Sequence, residues 1–530
     1  MKMCGINVIS TYIFWIHHEE EEGVFDFSGR KNLRKFIELC QKHHIYVILR
    51  IGPFDHGEVR NGGLPDWLYG KSFEVRKLND RFLYYVKRLY TEIAGQVQGL
   101  LYKDGGPVIA AQIDNEYMHS SATWEITTGI SDEWIFGGDD GEAYMYALRD
   151  LAKECGIVTP FYTCTYNYRF ILPYKSIDAM ANIKLASGCN FLGYYMFQGG
   201  SNPKGKHGTF MNEAQSPKIS YDYQSALGEF GQIRESYQRL KSVHSFCRTF
   251  AETFCHMQTV LPEGASQIDP SDADTLRFAV RTDGHSGYLF LNNFQDHMET
   301  KAKKNETVVL HMTGEDITFS GISLAPEENC ILPFHMDLNG IDLVTATAQP
   351  ITVLSDQKEP VFIFLKPEGM NPVFHFEDKA VTDQGDHTYQ CCTEKEAELF
   401  RVTKLLETDN TIFDLLKADT KARQIPVRIT QTARTKYELS FPDRFMNGLK
   451  DALLCVDYTG DIGSAFINGD MINDNFCNHN TWEIGLRTFA RRLRSILLPS
   501  LSHRFVKAGM STSNPLWRRE WRMPRNIPLN

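Results

Sequence analysis

The 530-residue chain has twelve cysteines but no CxxC pair, and no histidine pair at finger spacing, so neither a zinc site nor a dense disulfide framework is indicated. Cys391 and Cys392 are adjacent and read as packing residues or free thiols. No stretch approaches about 18 uninterrupted apolar residues, so no membrane helix and no membrane partner are expected. The opening Met1-Lys2-Met3-Cys4-Gly5-Ile6-Asn7 holds no charged leader followed by an apolar core, so no signal peptide is expected, or else the true start is missing. A basic stripe is missing too. The formal charge of −10 and a pI near 6.0 count against nucleic acid as the main partner. No cofactor and no metal is implied, and a neutral, sugar-like substrate fits better.

What is present is ample apolar material, 42% hydrophobic and 12% aromatic, enough for about three domains. The first half alternates short apolar runs with segments of helical period, the signature of parallel β/α architecture. Strands are predicted at Ile6–Trp15, Tyr46–Ile51, Val108–Ile113, Val158–Thr165 and Phe191–Phe197. Helices are predicted at Arg30–His43, after an N-cap at Asn79 with Phe82, Val86, Leu89, Ile93 and Val97 on one stripe, and at Glu142–Cys155, which ends on Gly156. Five strands fall short of the eight of a closed (β/α)8 barrel.

From about residue 251 the texture turns to short β runs: Leu276–Val280, Ser286–Leu291, Thr307–Met312, Ile351–Leu354 and Val361–Leu365. Leu453–Ile467 alternates apolar and small residues up to Asn468-Gly469, a hairpin dipeptide, and reads as a second β-sandwich. From Arg487 onward there are nine arginines and one acid, Glu520, without strand alternation. The expected division is a β/α region over 1–250, a β-rich region over 251–375, a sandwich over 376–486 and an irregular Arg-rich tail over 487–530.

In β/α architecture chemistry sits at the C-terminal ends of the strands. The first strand ends in Tyr12-Ile13-Phe14-Trp15, the second runs into Arg50-Ile51-Gly52-Pro53 with Glu58 on the loop above, and the third ends in Asp114-Asn115-Glu116-Tyr117. The fifth closes on Gly193-Tyr194-Tyr195-Met196-Phe197. Carboxylates, an amide and aromatic faces on one rim suit a sugar, whose hydroxyls need hydrogen bonds and whose C–H face stacks on rings. Glycoside hydrolysis takes one carboxyl to protonate the leaving oxygen and a second to attack or to activate water. Glu116 fits the first role, because a strand-end glutamate beside an apolar core holds its proton nearer neutral pH. On residue types alone, Asn115-Glu116 serves equally well as a loop cap.

Other patterns yield blander readings. Gly200–Lys206 matches GxxxxGK, but His207 replaces Ser/Thr and Pro203 removes a backbone donor that phosphates would need. His17-His18 before Glu19–Glu22 lacks HExxH spacing and reads as a solvated acidic loop. Tyr84 and Tyr85, with Phe82 and Tyr90, read as packing residues, while Trp67 either lines a sugar pocket or pins its loop.

The runs TYIFWIHHEEEEGVFDFSGRKNL, ILRIGPFDHGEVRNGGLPDWL, GGPVIAAQIDNEY, GYYMFQGGSNPKG and SYDYQSALGEFGQIR together resemble glycoside hydrolase family 35, the β-galactosidases, over most of residues 1–245. The stretch DYTGD…FINGDMINDNF is similar to the galactose-binding-like sandwich of such enzymes. The resemblance implies an α/β, TIM-barrel-type catalytic domain, incomplete here, followed by all-β domains. It implies Glu116 as acid/base, Asn115 and Glu58 as sugar-binding residues, and Tyr12 and Tyr195 as substrate tyrosines. Ile16 and the surroundings of His56 depart from the pattern, which bears on hydroxyl recognition.

The resemblance also makes the five strands equivalent to barrel strands two, three, four, five and eight, with strand one expected ahead of Met1. The nucleophilic glutamate belongs after strand seven, yet Tyr166–Asp178 is too short for two β/α units and contains no glutamate. Glu213 and Glu229 fall in post-strand positions and do not replace it. The resemblance therefore implies hydrolysis of β-linked galactose by a retaining mechanism, impaired here by loss of the nucleophile. The alternative is a non-catalytic galactoside-binding protein.

Overall fold

The computed structural model describes residues 1–55, 59–117, 140–163, 173–206, 208–209, 217–222, 224–269, 271–295, 298–354, 360–376, 379–382, 400–402, 424–433, 435–449, 451–460, 462–477, 480–490, 492, 495–499 and 504–511. Glu58, His56, Glu213, Cys391 and Cys392 lie outside them.

The N-terminal sheet has four parallel strands in sequential order: β1 (Val8–Tyr12), β2 (Tyr46–Arg50), β3 (Val108–Gln112) and β4 (Phe161–Tyr162). Sequential parallel order requires a crossover after each strand. These crossovers carry α1 (Trp15–His18), α2 (Leu33–Lys42), α3 (Asp80–Val97) and α4 (Gly141–Glu154). Asn79 caps α3 as expected, by accepting from Arg81 and Phe82, whereas α2 starts at Leu33 rather than Arg30 because Asn32 caps it by accepting from the Lys35 N–H. Gly156 follows α4 at φ +104°, its N–H donating to Lys153 O. One continuous core packs Val47, Leu49 and Val108 of the sheet against Ile37, Phe82, Leu89, Ile93 and Leu148 of the helices.

The fifth predicted strand does not form. Residues 191–197 are irregular, apart from a bridge at Gln198 to Leu227, and their apolar side chains are used elsewhere. Leu192, Tyr194 and Phe197 pack into a second core with α5 (Lys175–Ala186) and α6 (Glu235–Phe254). An apolar run becomes a strand only where a neighbour completes its hydrogen-bond ladder, and here helices take up the apolar face. Among the described residues the parallel sheet is therefore four-stranded and open.

The second core continues into a seven-stranded sheet ordered Lys379–Thr382, Val373–Phe376, Asp342–Ala346, Asn329–Asp337, Gly287–Asn292, Arg277–Thr282 and Gln258–Val260. Two charged clamps join it to the helices. Arg239 of α6 pairs with Asp178 of α5 at 2.7 Å and with Glu328 at 2.8 Å. Arg281, 1% exposed, donates to Leu185 O at 2.8 Å, Phe254 O at 3.0 Å and Met257 O at 3.0 Å, so it caps the C-terminal ends of α5 and α6 together.

A five-stranded sheet (Arg428–Ala433, Lys436–Ser440, Ser495–Pro499, Ile462–Ile467, Asp470–Phe476) and a three-stranded one (Trp482–Gly485, Leu453–Thr459, Arg504–Ser511) share a core of Leu439, Leu454, Ala465, Ile467 and Ile484. Asn468 and Gly469, at φ +52° and +85°, make the expected tight turn. The tail expected to be irregular from Arg487 supplies a strand to each sheet, Ser495–Pro499 on Lys436–Ser440 and Arg504–Ser511 on Leu453–Thr459. Ser495–Pro499 is itself a short apolar run, hidden in the sequence behind Arg491, Arg492 and Arg494.

Candidate active site

The ends of β1, β2 and β3 bring four of the named residues into contact or sequence neighbourhood. Arg50, the last residue of β2, donates to the Asn115 Oδ1 and lays its guanidinium 3.9 Å from the centre of the Tyr12 ring. The Tyr12 hydroxyl donates to the Tyr195 hydroxyl at 3.0 Å, and Tyr195 shares a 2.6 Å hydrogen bond with Tyr221. Tyr12, Asn115 and Tyr195 thus form one connected rim. Glu116 follows Asn115 directly, half-buried, with its backbone at φ +53°. Non-glycine residues rarely adopt that conformation, and it recurs where a site over-determines the backbone. Glu58 lies outside the described residues, so its place on this rim is not described.

Under the rim lies a buried ionic floor. Arg76 and Asp114 are both fully buried and pair at 2.7 Å, with Arg76 also donating to Asn115 O at 2.6 Å. Tyr144 donates to the other Asp114 oxygen at 3.2 Å, and the Asp114 Oδ1 accepts the Asn115 N–H at 2.8 Å. Arg76 is thereby bolted to the backbone that carries Asn115 and Glu116. Its guanidinium stacks on Phe54 at 3.7 Å. Gly62 makes room for that ring: it sits at φ +61°, and a Cβ there would lie 2.0 Å from Phe54.

Burial pushes the Asp114 carboxyl upward against the pull of Arg76. Asp55, just past β2 and 1% exposed, is pushed well above the ordinary range by burial, with Arg50 opposing and Asp114 adding to the rise. The floor therefore holds two buried carboxyls, one paired with the buried Arg76 and the other near the half-buried Arg50 of the rim. Such a floor fixes the strand-end backbone rather than offering free acids to a ligand.

Several residues take roles that their sequence context did not disclose. Glu19 is fully buried, accepting from Trp15 Nε1 at 2.7 Å and Gly23 N at 2.7 Å and pairing with Arg88, so the acidic run is anchored at its start rather than wholly solvated. Trp67 donates to Glu19 O at 3.1 Å and stands edge-on to Trp15, which pins its loop. His17 and His18 stand edge to face, ring centres 5.4 Å apart. Burial first, and the neighbouring His18, hold His17 down at about 3; His18 bonds Asp26 O and stacks on Phe27. Among the described residues no His/Cys/Asp/Glu group could hold a metal ion. Tyr84 is 63% exposed instead of packed. The GxxxxGK run forms short strands, Gly200–Ser201 and Lys204–Gly205, and Lys206 pairs with Glu21.

Glu229 was the remaining glutamate near the rim. Its carboxylate is taken up by the Ser201 hydroxyl and by the Asn473 amide at 3.1 and 3.0 Å, so it is a docking group. Arg50, Arg76 and Tyr221 were missed from the sequence; the one available signal was an arginine closing an otherwise apolar strand, at Arg50.

The strand ends of the parallel β/α sheet thus gather an amide, a glutamate, an arginine and a tyrosine that meets Tyr195 edge to face. The chain matches glycosyl hydrolases family 35 over residues 1–135. It is 24% identical over 502 residues to beta-galactosidase 8 of Arabidopsis thaliana, covering 88% of this chain and 53% of that protein. It is 45% identical over 304 residues to beta-galactosidase 11 of Oryza sativa subsp. japonica, covering 51% of this chain and 34% of that one. The chain thus spans about half or less of the length of these relatives. A solved beta-glucuronidase of Bacteroides uniformis aligns at a TM-score of 0.25 and 9% identity over 96% of this chain and 61% of that one, a likeness too slight to bear on the fold.

Proposed function

We propose that the chain is a β-galactosidase-type glycoside hydrolase acting on terminal β-linked galactose of oligo- or polysaccharides, with Glu116 as acid/base on the rim of a (β/α)8-type barrel. The observation that carries this reading is the linked set Arg50, Asn115, Tyr12 and Tyr195 beside Glu116. In the retaining mechanism Glu116 protonates the leaving oxygen and later takes a proton from water, while Asn115 and the tyrosines hold ring hydroxyls. Glu58 completes the sugar-binding set in this proposal.

A second carboxyl about 5–5.5 Å from the first is needed as nucleophile. The run Tyr166–Asp178 contains no glutamate, its Asp178 is paired with Arg239, and Glu229 is engaged by Ser201 and Asn473. That favours, as a second reading, a galactoside-binding protein with little or no turnover. Hydrolysis of p-nitrophenyl β-galactoside separates the two. Turnover lost in Glu116→Gln by at least about a hundredfold supports the first reading. Galactose bound without turnover supports the second, and neither binding nor turnover would sink both.

A further inference from the structure

We propose that Asp474 of the C-terminal sandwich is a positioning residue for the tyrosine rim, so that galactoside recognition depends on a carboxylate from a separate sheet; this rests on the sugar-site reading above. Asp474 is 2% exposed and lies in the strand Asp470–Phe476. Its carboxylate accepts the backbone N–H of Ile219 at 2.7 Å, of Ser220 at 3.2 Å, and of Lys218. Three donors converging on one buried carboxylate form a charge-assisted grip on the backbone. The gripped residues lead straight into the strand Ser220–Tyr221, which pairs antiparallel with Gly200–Ser201.

The neighbouring residue secures the opposite strand of that ribbon. Asn473, 1% exposed, donates to both oxygens of Glu229, which in turn accepts from Ser201, and its own Oδ1 accepts from Trp482 Nε1 at 2.7 Å. Consecutive residues of a strand face opposite ways, so a sandwich strand with one solvated face would bury only one of the two. Here Ile472, Asn473 and Asp474 are all buried, because the outer face is covered by the ribbon. From the ribbon the chain of contacts runs through the Tyr221 hydroxyl to Tyr195, to Tyr12, to the guanidinium of Arg50, and to Asn115. The sandwich thus fixes where Tyr221 and Tyr195 stand relative to the strand-end residues.

The test is a double-mutant cycle on the full chain, with Asp474→Ala, Tyr221→Phe and the pair, titrating isopropyl β-thiogalactoside by calorimetry on the folded fraction. Asp474→Ala is expected to weaken binding about tenfold, and the double variant to lose little beyond it, because both act through Tyr195. Losses that multiply, or unchanged affinity in folded Asp474→Ala, would overturn the proposal. Should Asp474→Ala fail to fold, Asp474→Asn, which keeps one acceptor oxygen, replaces it and is expected to give a partial loss. If the wild-type chain binds no thiogalactoside, the sugar-site reading fails separately. Amide exchange at Ile219–Tyr221 and the near-ultraviolet tyrosine dichroism then decide the positioning role: both should change in the Asp474 variants, and unchanged spectra reject it.

Discussion

The floor of the candidate site and its rim use the same guanidinium group against different partners. In the floor, Arg76 meets a carboxylate with both side chains fully buried. In the rim, Arg50 meets a neutral amide and a tyrosine face and is only half-buried. A dry carboxylate partner compensates charge and fixes the backbone. An amide and an aromatic face orient the guanidinium at the rim through a hydrogen bond and a stacking contact. The difference separates holding a loop from meeting a ligand, and it can be tested.

Removing the floor arginine should have the largest effect on stability. Arg76→Ala strands the buried Asp114 and is expected to cost about 3–5 kcal/mol of unfolding free energy, measured by urea denaturation. A cost below about 1 kcal/mol would erase the distinction between the two layers.

The next effect is a pH dependence. The folded Asp55 carboxyl is raised above its unfolded value, mainly by burial, so the folded state binds the proton more tightly. Its favourable contribution is full below about pH 3.9 and is lost as pH rises through the folded value. Asp55→Asn cannot ionise. It should therefore be more stable than the parent at pH 7 and show a flatter decline of melting temperature with pH above about 4; parallel curves would contradict the burial argument.

The smallest effect belongs to the rim. Tyr12→Phe removes the 3.0 Å bond to Tyr195 and is expected to change stability by about 0.5–1.5 kcal/mol while leaving the stacking on Arg50 in place. A thermal melt checks the first part, and a larger loss would mean the rim is structural like the floor.

The local signals in the sequence that survived folding were those complete within a few residues. The Asn79 cap, the Gly156 stop and the Asn468-Gly469 turn each satisfy backbone groups without help from distant segments. The strands β1 to β3 were readable although their ladder partners are distant, because each is a short apolar run closed by polar residues, which puts Tyr12, Asn115 and Glu116 at or just past strand ends. Illegible features depended on partners far away in the chain. Residues 191–197 had strand texture but lost their ladder to α5 and α6, and Ser495–Pro499 gained one from Lys436–Ser440 despite its charged flanks. Glu19 looked like part of a solvated run, and only the fold brings Arg88 across to it. Arg76 and Tyr221 sit in unremarkable sequence, because nothing local marks a residue whose partner is 38 or 26 positions away.

The clamp at Arg281 has a consequence for how the middle of the molecule comes apart. Its charge is met by the carbonyls of Leu185, Phe254 and Met257 at the ends of two helices and by the Asn190 Oδ1 at 3.3 Å. Fraying either helix would leave a guanidinium stranded in the core with half its acceptors. The last turns of α5 and α6 and the strand Arg277–Thr282 should accordingly open as one cooperative unit, exchanging their amides with solvent together and not one helix at a time.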